Sequence, residues 1–225
     1  MALSVKICGL STPEAVAAAV SGGARYVGFV FFPRSPRALS AAAAQALAAR
    51  VPTGVRRVGL VVDATDEEIS AIVATVGLDM VQLHGAESPA RAADVRARFG
   101  LPVIKAVPVG EAADLAWARA YEGAADRLLF DAHPPPGATR PGGNAGAFDW
   151  TLMAGRRWSV PWMLAGGLTA GTLADAVRLS GAGEVDVSSG VEEAPGVKSV
   201  ARIRDFLKVA RSVGKGVRAS DAGGR

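Results

Sequence analysis

A short β-rich run, a polar or Gly-containing turn and a helical pattern recur eight times along the chain, and this alternation constrains the fold more than any other feature. The strand candidates are Ser4–Cys8, Tyr26–Phe31, Arg57–Val62, Met80–Leu83, Pro102–Val107, Arg127–Phe130, Pro161–Ala165 and Glu184–Val187. Helix starts are readable between them. Thr12 can cap the first helix, with Pro13 suited to its first position and Glu14 near its positive end. Thr65 with Glu68 makes a capping-box pattern. Further helical stretches are Ala41–Arg50, Pro89–Phe99, Glu111–Tyr121, Ala170–Ser180, the amphipathic Val200–Ala210 and a short segment near Trp150–Gly155. Strand–helix alternation favours parallel pairing with right-handed crossovers. Eight units in 225 residues fit an α/β fold closed into a single (β/α)8 TIM barrel better than an open doubly wound sheet.

The catalytic domain is expected over residues 1–212. Residues 213–225 are rich in Gly, Ala, Ser and charge, lack a periodic apolar face, and are expected to form a disordered tail. Half the residues are hydrophobic and a fifth are charged, enough for a large core and a wettable surface. The net charge of +4 comes without a dense basic cluster, which argues against nucleic-acid binding. No apolar run approaches a membrane span and the N-terminus has no signal-like core, so a cytoplasmic protein without a membrane partner is expected. The single cysteine, Cys8, excludes an internal disulfide and a multi-cysteine metal site. With two histidines, His84 and His133, a His-rich metal cluster is a poor reading too.

In a parallel barrel the chemistry gathers at the C-terminal ends of the strands, and residues two apart on a strand share a face. Lys6 and Cys8 share a face of the first strand. A nearby ammonium favours a thiolate, making Cys8 a candidate base, although an isolated cysteine is ordinarily a small buried hydrophobe. Gln82 and His84 share a face of the fourth strand, Asp131 closes the apolar run of the sixth, and Asp186 and Ser188 share a face of the eighth. Two Gly-rich turns follow the last two strands, Ala165-Gly166-Gly167-Leu168 and Ser188-Ser189-Gly190-Val191. Glycine permits close backbone approach, and loops after the seventh and eighth strands of this fold recurrently bind phosphate. Gly166, Gly167, Ser188, Ser189 and Gly190 are therefore candidate phosphate ligands.

Taken together, Val5-Lys6-Ile7-Cys8-Gly9, Val27-Gly28-Phe29-Val30-Phe31, Val81-Gln82-Leu83-His84-Gly85, Phe148-Asp149-Trp150, Leu164-Ala165-Gly166-Gly167-Leu168 and Val185-Asp186-Val187-Ser188-Ser189-Gly190-Val191-Glu192 resemble the phosphoribosylanthranilate isomerase family, in family order over roughly residues 3–210. The resemblance implies an Amadori rearrangement in tryptophan biosynthesis, without a cofactor, on a small phosphorylated substrate. It implies that Asp131 is the general acid and Cys8 the general base, and that Arg37 pairs with the anthranilate carboxylate. Asp186 helps position sugar hydroxyls, with Gln82 and His84 also on the substrate. A covalent role for Cys8 is the rival, but an internal proton transfer needs no nucleophile. A monomer is the favoured oligomeric state.

One segment departs from the family pattern. The stretch before Phe148-Asp149-Trp150 reads Gly142-Gly143-Asn144-Ala145-Gly146-Ala147, with Gly146 where the family has lysine. The preceding loop, from His133 to Arg140, is extended. This bears on loop closure and turnover rate, and Arg140 is a candidate substitute for the lysine. The nearest enzymatic rival, the dual-substrate isomerase of histidine and tryptophan synthesis, uses an aspartate where Cys8 stands. A silent barrel that binds sugar phosphates or a partner enzyme is the alternative of a different class.

Overall fold

The computed structural model describes residues 3–138, 140–144 and 146–222, with side chains of the last helix described as far as residue 214. Eight strands form one closed barrel: β1 Ser4–Cys8, β2 Tyr26–Val30, β3 Arg56–Val61, β4 Met80–Leu83, β5 Val103–Val109, β6 Arg127–Ala132, β7 Trp162–Leu164 and β8 Glu184–Val187. Every strand is parallel to its neighbours, and β8 returns to pair with β1. The helices are α1 Pro13–Ser21, α2 Ala41–Ala48, α3 Asp66–Val76, α4 Pro89–Phe99, α5 Asp114–Ala118, α6 Leu173–Ser180 and α7 Val200–Ala222.

The caps form as the sequence suggests. Thr12 Oγ1 accepts from Ala15 N–H at 3.2 Å, with Pro13 opening the helix. Thr65 accepts from Glu68 N–H while the Glu68 carboxylate accepts from Thr65 N–H, a complete capping box. Four features differ from expectation. The short helix expected near Trp150–Gly155 is a 3-10 turn over Trp150–Met153, capped by the Asp149 side chain. The Trp158 and Trp162 rings pack on Phe130 at centroid distances of 4.9 and 5.7 Å. Strand β6 runs two residues past its apolar stretch, since Pro108 and Val109 of β5 pair with Asp131 and Ala132. Asp131 therefore sits in the sheet. Third, a small antiparallel hairpin, β9 Glu192–Ala194 and β10 Val197–Lys198, follows β8. Helix α7 is continuous to Ala222, across the boundary at residue 212; residues 223–225 lie outside the described residues.

Side-chain alternation divides the core into two shells. Ile7, Phe29, Leu83, Phe130 and Val185 point outward and are buried beneath the helices. Burying a side chain of this size contributes about 1.5–3 kcal/mol. The opposite positions point inward, where Val58, Met80, Ile104, Leu129 and Met163 fill the barrel. The inward set also contains the polar residues Lys6, Gln82 and Asp186, all buried. One step further along β1 and β4, and at the ends of β6 and β8, come Cys8, His84, Asp131 and Ser188.

Candidate active site

Lys6 and Asp186 face each other in register on β1 and β8, and Lys6 Nζ lies 2.9 Å from Asp186 Oδ1. Two ionised groups are tolerated inside the barrel because each neutralises the other. Burial alone would pull the Lys6 pKa down, but Asp186 and Cys8 pull it up, and the net direction is up. Gly28 makes room for this arrangement. A Cβ there would stand 3.1 Å from Cys8 Sγ and 3.2 Å from Lys6 Nζ, so only a residue without one leaves the thiol and ammonium undisturbed. Burial raises the Cys8 pKa, Lys6 opposes that, Asp186 adds to it, and the net direction is up. The ammonium thus acts on the thiol as expected, but desolvation outweighs it.

Across the barrel, Gln82 Nε2 lies 2.8 Å from His84 Nδ1. On its other side the ring points to Asp131, with His84 Nε2 3.4 Å from Asp131 Oδ2. The other Asp131 oxygen accepts from Ala132 N–H at 2.9 Å. Gln82 itself is fully buried beneath His84 and lines neither lobe of the cleft described below.

Arg37 is buried at the rim. Its Nε and Nη2 are bound by the two Glu192 oxygens at 2.6 and 2.8 Å, leaving the Nη1 edge toward Gly143. Lys198 Nζ also reaches Glu192, at 2.6 Å, and donates to the Ser188 carbonyl and hydroxyl. Burial would raise the Glu192 pKa, but Arg37 and Lys198 hold it below the usual carboxylate range. Burial lowers Lys198, and Arg37 lowers it further, against the pull of Glu192. Neither Glu192 nor Lys198 stood out in the sequence as a site residue. A second buried pair missed there, Lys105 with Glu87 at 2.7 Å, ties β5 to the loop after His84; Glu87 also accepts from the Asp63 and Gly85 amides.

Two adjoining lobes of the cleft hold most of the candidate residues. One is lined by Cys8, Arg37, His84 and Asp131 and walled by Val30, Phe32, Leu60 and Val62. The other is lined by Gly166, Gly167, Asp186 and Ser188–Gly190. Asp131, Asp186 and Ser188 belong to both. Gly166 and Gly167 have φ of +81° and +67°, and at Gly190 the Leu168 carbonyl fills the space of a side chain. Both turns therefore present bare backbone to the second lobe. The Ser188 hydroxyl donates to the Cys8 carbonyl at 3.2 Å, tying β8 to β1. The loop after β6 covers the junction: an added Cβ on Gly142 would stand 2.8 Å from Asp131 Oδ2. Gly146, in contrast, leaves ordinary space around a Cβ. An apolar-walled lobe holding a thiol, a carboxyl and a guanidinium, joined to a backbone-lined lobe, suits proton transfers on an anion with an apolar part.

Among the described residues no cluster of His, Cys, Asp and Glu could hold a metal ion, and no helix is long and apolar enough to cross a membrane.

The family model described as N-(5'-phosphoribosyl)anthranilate (PRA) isomerase matches residues 5–209. The N-(5'-phosphoribosyl)anthranilate isomerase of Cereibacter sphaeroides is 61% identical over 207 residues, which is 92% of this chain and 98% of that one. Its counterpart from Rhodospirillum centenum is 58% identical over 214 residues, covering 95% and 100%. Among solved structures, phosphoribosyl anthranilate isomerase from Thermotoga maritima superposes with a TM-score of 0.84 at 34% identity, covering 93% of this chain and 99% of that one. A phosphoribosyl anthranilate isomerase in complex with reduced 1-(o-carboxyphenylamino)-1-deoxyribulose 5-phosphate does so with 0.81, at the same identity and coverage.

Proposed function

The chain belongs to the N-(5'-phosphoribosyl)anthranilate isomerase family, enzymes of tryptophan biosynthesis, and from that membership we propose that its cleft runs the rearrangement with Cys8 as general base and Asp131 as general acid. The reaction converts N-(5-phosphoribosyl)anthranilate to 1-(2-carboxyphenylamino)-1-deoxyribulose 5-phosphate. The observation that carries the assignment is that Cys8 and Asp131 stand on the walls of one lobe, with Asp131 also lining the backbone-lined one.

Asp131 gives its proton to the furanose ring oxygen. The bond from that oxygen to C1′ breaks, and the nitrogen lone pair forms the C1′=N double bond of an iminium. The Cys8 thiolate then takes the C2′ proton. The freed electron pair forms C1′=C2′ and neutralises the nitrogen, giving an enolamine, which passes its hydroxyl proton to C1′ and becomes the ketone. The iminium is a second positive charge near the thiol, and with Lys6 it counters the burial that raises the Cys8 pKa. The base is thereby favoured when the substrate needs it.

The remaining residues bind. The Gly166–Gly167 and Ser188–Gly190 backbone takes the phosphate, Asp186 the sugar hydroxyls, and the open edge of Arg37 the anthranilate carboxylate, against the walls of Val30, Phe32, Leu60 and Val62. His84 orients Asp131 and is itself held by Gln82.

The test is turnover of phosphoribosylanthranilate followed by anthranilate fluorescence, for wild type, Cys8→Ala and Asp131→Val, with circular dichroism on each. Folded variants that lose about two or more orders of magnitude support the acid–base roles. A wild type without turnover sinks the reading.

A further inference from the structure

Arg140 enters the cleft from the loop between β6 and β7 and lines the same lobe as Cys8, Arg37 and Asp131. Its Nη2 donates to the Gly143 carbonyl at 3.3 Å, and Arg37 Nη2 donates to the same oxygen at the same distance. Two guanidinium groups thus converge on one backbone acceptor. Their surroundings differ. Arg37 is neutralised on one edge by Glu192, whereas Arg140 has no carboxylate partner among the described residues. Its Nε is sequestered from solvent without a hydrogen-bond acceptor. A cation brought next to another cation, with an unused donor, is an arrangement that an anion completes.

The lobe restricts which anion. Val30, Phe32, Leu60, Val62 and Pro141 wall it, so it suits a group that is apolar as well as negatively charged. We propose that Arg140 is a second guanidinium for the aryl carboxylate of the substrate, facing Arg37 across that group and carried in by the loop. This rests on the isomerase reading above and deepens it. A planar carboxylate has two oxygens and about four acceptor positions, so one edge from each arginine can be accommodated. Arg140 is then a specificity-determining residue for the aryl carboxylate. It also accounts for Gly146: with Arg140 supplying the loop cation, a lysine there is dispensable.

The experiment is isothermal titration of wild type, Arg140→Ala and Arg140→Lys with two ligands. One is reduced 1-(o-carboxyphenylamino)-1-deoxyribulose 5-phosphate; the other is the same compound without the ring carboxylate. Arg140→Ala is expected to weaken the carboxylated ligand about 10- to 100-fold, the worth of a charged hydrogen bond. It should leave the other ligand within about twofold, and Arg140→Lys should recover part of the loss. Equal losses for both ligands would mean that Arg140 only orders the loop, and no loss would mean a solvated arginine; either overturns the assignment. A wild type that binds neither ligand overturns the isomerase reading, and this assignment with it.

Discussion

Lys6 on β1 and Asp186 on β8 pair in register at 2.9 Å across the seam where the barrel closes, with the ammonium sealed from solvent. Lys6→Met leaves the carboxylate buried alone and is expected to cost about 3–5 kcal/mol in urea unfolding. Lys6→Met with Asp186→Asn should recover much of that. The pair also sets the thiol: Lys6 lowers the Cys8 pKa more than Asp186 raises it. In the double variant the rising limb of kcat/KM against pH therefore moves to higher pH. A limb that stays in place would show that Lys6 does not act on the base.

Gly28→Ala places a methyl 3.1 Å from Cys8 Sγ and 3.2 Å from Lys6 Nζ. Stability should fall by about 1–3 kcal/mol, as for an overpacked core, and kcat should fall with it in protein that is still folded. Retention of wild-type kcat would mean that the thiol tolerates displacement and is not positioned for proton transfer.

Glu192→Gln tests the clasp on Arg37. The Glu192 pKa lies below its ordinary value of 4.5. Its contribution to stability is therefore complete above about pH 4.5 and is lost as pH falls through the lower folded value. Wild type should lose stability steeply in that acid window, whereas Glu192→Gln, with nothing to titrate there, shows a shallower slope. At pH 7 the variant should be less stable by about 3 kcal/mol, with an uncompensated arginine in the rim, and its KM should rise. Denaturant melts between pH 3 and 7 check both; parallel slopes would remove Glu192 from the linkage.

Gln82→Leu removes the group that holds His84 Nδ1, without touching the cleft lining. A kcat about tenfold lower with KM within about twofold is the expected steady-state result. A rise in KM at constant kcat would instead make Gln82 a substrate ligand.

The fold was legible because each strand carries its own apolar run and helices such as α1 and α3 their own caps, Thr12 and Thr65, all local signals. That Cys8, His84 and Ser188 share faces with Lys6, Gln82 and Asp186 was also legible from alternation by two. Asp131 was found, but its place inside β6 was not, because the pairing that extends the strand comes from Pro108 and Val109 of β5. The clasp of Arg37 by Glu192 spans 155 positions in sequence and leaves no local trace. The same holds for Lys198 and for Lys105 with Glu87: an isolated charge on a short strand reads as solvated surface until its partner arrives. In the crossover after β6 the short helix read near Trp150–Gly155 is present as a 3-10 turn over Trp150–Met153.

The register pairing of Lys6 with Asp186 spans 180 positions, which gives the site a birth order. A chain made from its N-terminus presents Cys8 almost at once. The carboxylate that neutralises Lys6, the glycines of the backbone-lined lobe and the clasp on Arg37 emerge only with the last third of synthesis. A nascent chain halted before β8 holds an unpaired lysine at an open seam and can take the native barrel neither structurally nor functionally. Competence for turnover is thus a property of the completed polypeptide, and closing the ring is the same event as assembling the site.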